Sequence, residues 1–114
     1  MSERALEQVA ERQARRRRFN ERLAALDPTV EIARFRCECG LIACGSAIRL
    51  SADEYAALRA HPRRFAVVTE HVMPEADEVV ASASGWVTIE KREGPGADVA
   101  VQIEPASNPV KCRR

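Results

Sequence analysis

Residues 36–45 read RCECGLIACG and place three of the chain's four cysteines, Cys37, Cys39 and Cys44, within eight residues. Thiols this close must bind a shared partner, do redox chemistry or be packed together, and each option restricts the fold around them. Residues i and i+2 of an extended strand point the same way, so Cys37 and Cys39 project their sulfurs to one side. Cys44 follows after a length of chain sufficient to turn back. Gly40 and Gly45, one after each of the last two cysteines, allow a tight turn beside a sulfur with amide N–H groups aimed at it. Three convergent thiolates suit Zn²⁺, which favours four tetrahedral sulfur and nitrogen ligands.

A fourth ligand is needed, and the candidates are His61, His71 and Cys112. His61 precedes Pro62 at a helix end, where a histidine commonly faces the terminal carbonyls. Cys112 sits in a tail expected to be mobile, residues 105–114. His71 follows the apolar run that ends at Val68, where a rigid element can present an imidazole. The expected metal set is therefore Cys37, Cys39, Cys44 and His71, with zinc as the cofactor. Redox chemistry is the competing use, since Cys37 and Cys39 with Arg36 nearby could form a thiol sensor.

The rest of the sequence is consistent with one small domain in need of such a clip. The chain has 114 residues and few aromatic ones, so its core is thin and built mainly from aliphatic side chains. There is no apolar run of signal-peptide or membrane-spanning length. A soluble, cytoplasmic protein is expected, in a compartment where clustered thiols are more often ligands than disulfides.

Residues 2–26 are rich in helix formers, with Ser2 as cap and Asp27-Pro28 as stop. The apolar stripe is broken: Leu6, Val9 and Ala10 form one patch and Phe19, Leu23 and Leu26 another, with Gln13, Arg16 and Arg17 between. The expectation is a basic arm, residues 1–18, that projects from a body of residues 19–104. Residues 31–36 and 46–51 alternate as strands joined by the cysteine loop. Ser51 and Glu54 form a capping box for a short helix that Pro62 ends. A strand then covers residues 63–70, and a hairpin turns at Gly85 between residues 79–84 and 86–91. Val99, Val101 and Ile103 alternate, which predicts a last strand over 97–103. The fold class is α+β: an N-terminal helix, a small, mostly antiparallel sheet, a short central helix and one zinc clip.

Residues 1–26 carry seven Arg against four Glu, whereas residues 27–110 carry eight basic and thirteen acidic groups. Arg12 and Arg15 to Arg18 set five guanidinium groups in seven residues, enough to contact several phosphates. Consecutive arginines spread around a helix, but Arg4, Arg15, Arg18 and Arg22 share a face. The bland reading is a solvated face in which Glu11 pairs with Arg15. The partner-contact set is Arg4, Arg12, Arg15, Arg16, Arg17, Arg18 and Arg22, and the partner an unknown macromolecule, with nucleic acid as one form.

A catalytic zinc keeps a position open for water beside a general base, and Glu38 or Glu70 could be drawn in that role. Three thiolates weaken the metal as a Lewis acid, and no zinc-hydrolase, deaminase, phosphate-loop or nucleophile-elbow motif is present. The chain is therefore expected to be non-enzymatic.

RCECGLIAC, then RLSADEYAALRAHPRRFAVVTEH, EVV and VTIEK resemble a family of small, largely uncharacterised actinobacterial proteins over about residues 19–91. The shared pattern falls on Cys37, Cys39, Cys44, Leu50, Ser51, Glu54, Tyr55, Arg59, Pro62, Phe65, His71, Val79, Val80, Glu90 and Lys91. The resemblance implies His71 as fourth ligand and a helix where this sequence reads as the 97–103 strand. Thr69-Glu70 stand where the family has Pro-Gly. No activity is implied.

Overall fold

A computed structural model of the chain describes residues 1–26 and 32–103. The 105–114 tail and Cys112 lie outside the described residues, as does the Asp27-Pro28 stop. The architecture is α+β: a long helix α1 (Glu3–Leu26), strands β1 (Ile32–Arg36) and β2 (Ala47–Ser51), helix α2 (Ala52–Arg59) and β3 (Arg64–Val68) come first. A 3₁₀ turn (Thr69–His71), strands β4 (Asp77–Ser82) and β5 (Trp86–Lys91) and helix α3 (Pro95–Gln102) follow. The strands form two antiparallel sheets, β1-β2 and β3-β5-β4.

Local signals explain most of these elements. Ser2 Oγ accepts from Ala5 N–H at 3.1 Å and starts α1. The Ser51–Glu54 capping box is reciprocal: Glu54 N–H donates to Ser51 Oγ at 3.0 Å, and Ser51 N–H to Glu54 Oε1 at 2.7 Å. Gly85, with φ of 82°, makes the turn between β4 and β5. The β1-β2 hairpin pairs Arg36 with Ala47, and Cys37 N–H bonds to Ser46 O, so pairing runs into the cysteine loop.

The N-terminal half of α1 does not project. Val9, Ala10, Gln13, Ala14, Arg17 and Asn20 are all buried at i, i+3, i+4 spacing. The polar residues on this stripe do not break it, because most find internal partners. Arg17 donates to Pro62 O at 2.6 Å, to Ala100 O at 3.3 Å and to Ile103 O, with its guanidinium 4.8 Å from the centre of the Phe65 ring. Asn20 donates to Arg36 O and accepts from Arg36 N–H, both at 2.9 Å, and so closes the backbone edge of β1.

Where a strand is expected over residues 97–103, residues 97–102 belong to α3 and Ile103 caps it. Pro95 occupies the first turn behind Gly94, whose φ of 136° suits only glycine, and Gly96, Ala97 and Ala100 turn inward. That small face lets α1 come close: a Cβ on Gly96 would lie 3.4 Å from Leu6 O. Arg17 then satisfies carbonyls at the C-terminal end of α3.

The core has two parts. Phe35, Ile48, Leu50, Tyr55, Leu58 and Ala66 fill the space between the hairpin, α2 and β3, with Phe35 and Tyr55 stacked at 4.6 Å. Cys37 and Cys39 belong to the other part, with Phe65, Val67, Val87, Ile89 and Ala100. One fully buried ion pair, Lys91 Nζ to Asp77 Oδ1 at 2.7 Å, joins the register-paired ends of β4 and β5.

Candidate metal centre

The structure brings Cys37, Cys39, Cys44 and His71 together: one ligand atom from each lies within 4.8 Å of all the others. Cys37 and Cys39 leave the end of β1, Cys44 returns toward β2, and the 3₁₀ turn after β3 delivers His71 from 34 residues away. His61 is exposed and takes no part. His71 approaches through Nδ1, which lies 3.5 Å from Cys37 Sγ and 3.4 Å from Cys44 Sγ. A tetrahedral ion with zinc-like bonds, about 2.3 Å to sulfur and about 2.05 Å to nitrogen, places such S···N pairs about 3.6 Å apart. The group can therefore hold a metal ion with little rearrangement.

The surrounding donors suit thiolates. Val68 N–H donates to Cys37 Sγ at 3.1 Å, and the Arg16 guanidinium reaches Cys39 Sγ at 3.5 Å. Within the cluster the Cys37 thiol donates to Cys39 and lowers that thiol to about 5, against its burial, with help from Leu41 N–H, Cys44 and the Arg16 charge. Cys37 is correspondingly raised, by its bond to Cys39 and then by burial. A thiolate at Cys39 is thus favoured, and a cation held by the cluster would neutralise it.

The arginines and the cysteines, separate features of the sequence, form one structure here. Arg12 Nε donates to Gly40 O at 2.7 Å, and Arg16 donates to Cys39 O at 2.7 Å and to Ile42 O at 3.1 Å. These bonds hold the loop from Cys39 to Ile42 against α1. Gly40 serves this contact and not a special backbone conformation, since its φ is not positive and a Cβ on it would lie 2.4 Å from Val9 Cγ1. Gly45 has open space around it and no positive φ, so neither turn strain nor close approach requires glycine there.

Of the seven arginines assigned to a partner, Arg17 is buried and has no surface to offer. Arg12 and Arg16 are half-buried supports of the loop, while Arg4, Arg15, Arg18 and Arg22 are exposed. The Glu11–Arg15 ion pair of the solvated-face reading is not among those formed by the described residues.

Glu38, between two of the cysteines, turns away from them. Its Oε2 accepts from Asn20 Nδ2 at 2.8 Å and Tyr55 Oη at 2.7 Å, and its Oε1 from Ala66 N–H at 3.0 Å. Complete burial raises this carboxyl to about 6, against those three hydrogen bonds and the charge of Arg17. Burial, and then the charge of Glu38, also raise the Tyr55 hydroxyl. Glu38 thus ties α1, α2 and β3 beneath the cysteine loop and is not placed to serve as a base there. An acid between two loop cysteines was its signal in the sequence, but only the fold shows where it points. Glu70 is exposed on the 3₁₀ turn.

Among the described residues no helix is long and apolar enough to cross a membrane. Comparison of the chain with protein-family models, curated proteins and solved structures yields no match, so the functional reading rests on this geometry.

Proposed function

We propose that the chain is a non-enzymatic, zinc-binding regulatory or adaptor protein that meets a polyanionic macromolecule, nucleic acid in the first instance, through the arginine face of α1. The observation that carries this reading is the pair of loop-supporting arginines, Arg12 and Arg16. Their bonds couple the metal clip to the basic helix, so the ion would set the position of the charged surface as well as hold the fold. Zinc fits three sulfurs and one imidazole nitrogen better than harder cations that take oxygen. Three thiolates and a histidine fill a tetrahedron, which makes the role structural, and metal binding would add on the order of 10 kcal/mol to folding.

The test is equilibrium binding of the zinc-loaded chain to labelled single- and double-stranded nucleic acid at rising salt. Contacts from Arg4, Arg15, Arg18 and Arg22 should weaken binding by about 10²-fold between 50 and 200 mM salt. No binding at 50 mM salt, or binding indifferent to salt, would overturn the reading. Deletion of residues 1–18 is unsuitable, because it removes the buried Val9, Ala10, Ala14 and Arg17.

A second reading, a thiol sensor, is favoured by the lowered Cys39 thiol beside Arg16. Two thiolates would give two electrons to a peroxide, form one disulfide, and release the metal while the peroxide and two protons become water and the corresponding alcohol or second water. Zinc release at about one peroxide per chain would support it, and zinc retained under excess peroxide would dismiss it.

A further inference from the structure

A cavity of about 390 Å³ opens between α1 and the cysteine loop, lined by Arg12, Arg15, Arg16, Phe19, Arg36 and Ile42. Four of its six lining residues are arginines and none is acidic. Arg12 and Arg16 donate to the neutral carbonyls of Gly40, Cys39 and Ile42, which orient guanidinium groups without cancelling their charge, and Arg16 donates also to Cys39 Sγ. No ion pair links any of the four to a carboxylate among the described residues. Three thiolates, a neutral imidazole and a divalent ion would sum to one negative charge, and Arg16 faces it at Cys39 Sγ. Arg12, Arg15 and Arg36 would remain uncompensated around one hollow.

The apolar part of the lining is equally specific. Phe19 is 41% exposed and Ile42 80%, so both offer apolar surface to a ligand in the cavity. The Arg36 guanidinium lies over the Phe19 ring, 5.4 Å from its centre, so a planar cation and an aromatic ring form one cation–π pair at the cavity. The volume is that of a small-molecule site and exceeds what a lone phosphate needs. Guanidinium groups gathered around one aromatic ring match a phosphate joined to a flat heterocycle.

The basic surface continues out of the cavity. Arg34 and Arg36 point outward from β1, and Arg49 of β2 is directly opposite Arg34. Like charges facing each other across a sheet destabilise it, and a bound polyanion would relieve that cost.

We propose that the Arg12, Arg15, Arg16, Phe19, Arg36 and Ile42 cavity takes one nucleotide unit of a single-stranded nucleic acid, with its phosphate among the guanidinium groups and its base against Phe19 and Arg36. The adjoining strand backbone runs over Arg34 and Arg49. A duplex keeps its bases stacked inside and cannot offer one to the ring, which is why the single strand is preferred. This rests on the arginine-face reading above and gives it a ligand class and a place.

The test is fluorescence anisotropy of the full zinc-loaded chain with a labelled ten-nucleotide single strand, the matching duplex and, as competitor, a 5′-mononucleotide. The single strand should bind more tightly than the duplex. Phe19→Ala should weaken single-strand binding by at least about 5-fold, and Arg15→Gln and Arg36→Gln should each lower the salt slope by about 0.7. Arg15 and Ile42 are both exposed, so Arg15→Gln and Ile42→Ser probe the cavity even if Phe19→Ala disturbs the helix. Equal binding of duplex and single strand, with both cavity variants silent, would overturn the cavity and leave the arginine face standing. A mononucleotide that binds as tightly as the ten-nucleotide strand would overturn the strand assignment in favour of a free nucleotide. Absence of binding to any of them at low salt would overturn both this proposal and the reading it rests on.

Discussion

Alanine at position 40 tests the contact on which the coupling of α1 to the metal loop depends. The new Cβ would lie 2.4 Å from Val9 Cγ1, whereas real Cβ contacts are essentially never under 3.0 Å. Ordinary contact begins at 3.4 Å, so helix and loop must separate by about 1 Å, in the same place where Arg12 bonds to Gly40 O. Overpacking of this kind costs about 1–3 kcal/mol. At about 4 °C per kcal/mol for a chain of this size, Gly40→Ala should lower the melting temperature of the zinc-loaded protein by about 4–12 °C. Val9→Ala alone should cost about 2 kcal/mol, through lost burial and a small cavity. In that background the nearest atom is the β-carbon left at position 9, at 3.2 Å, which needs a shift of only a few tenths of an ångström. Gly40→Ala should then cost less than about 1 kcal/mol, a coupling of about 1–2 kcal/mol in a double-mutant cycle. Urea denaturation of the four proteins, with zinc content measured on each, supplies the cycle. An equal cost for Gly40→Ala in both backgrounds would refute the argument that Val9 sits on this glycine.

Three further outcomes are expected. His71→Ala and Cys44→Ser should each lose metal and melt far lower, while His61→Ala keeps its zinc by elemental analysis; the reverse pattern for the two histidines would dismiss the site. Glu38 titrates near 6 when folded against an ordinary 4.5, so folding is favoured by its neutral form: the contribution is present below pH 4.5 and lost as pH rises through about 6. The stability of the wild type relative to Glu38→Gln should therefore fall by about 2 kcal/mol between pH 4.5 and 7, and a flat difference would contradict the burial of that carboxyl. Lys91→Met should cost about 3–5 kcal/mol by stranding the buried Asp77, and Lys91→Met with Asp77→Asn should recover most of it; an additive double variant would show that the two groups do not interact.

Much of this fold is legible wherever the decisive partners are close in sequence. The capping box of α2, the Gly85 turn and the hairpin around the cysteines each depend on groups a few residues apart. The three clustered cysteines declare a common purpose by spacing alone, and His71 could be chosen because a strand end is a rigid place to present an imidazole. The misreadings fall on α1 and α3. Gln13, Arg16 and Arg17 look like breaks in an apolar stripe, because a sequence does not show that Gln13 is buried or what Arg16 and Arg17 meet. The partners of Arg17 are 45, 83 and 86 residues away.

The sequence by itself determined the elements that local hydrogen bonds and side-chain periodicity dictate, together with the thiol chemistry of the loop. Only the tertiary structure decided which charges are interior. Burial of a charge is favourable only where carbonyls or counter-charges converge on it, and here those groups come from distant segments. The same reason separates the arginines: Arg17 holds α3, Arg12 and Arg16 hold the metal loop, and Arg15 faces outward into the cavity beside them. The helix periodicity that allows those roles is local, but their assignment waits for the chain to bring α3 and the cysteine loop against two sides of α1.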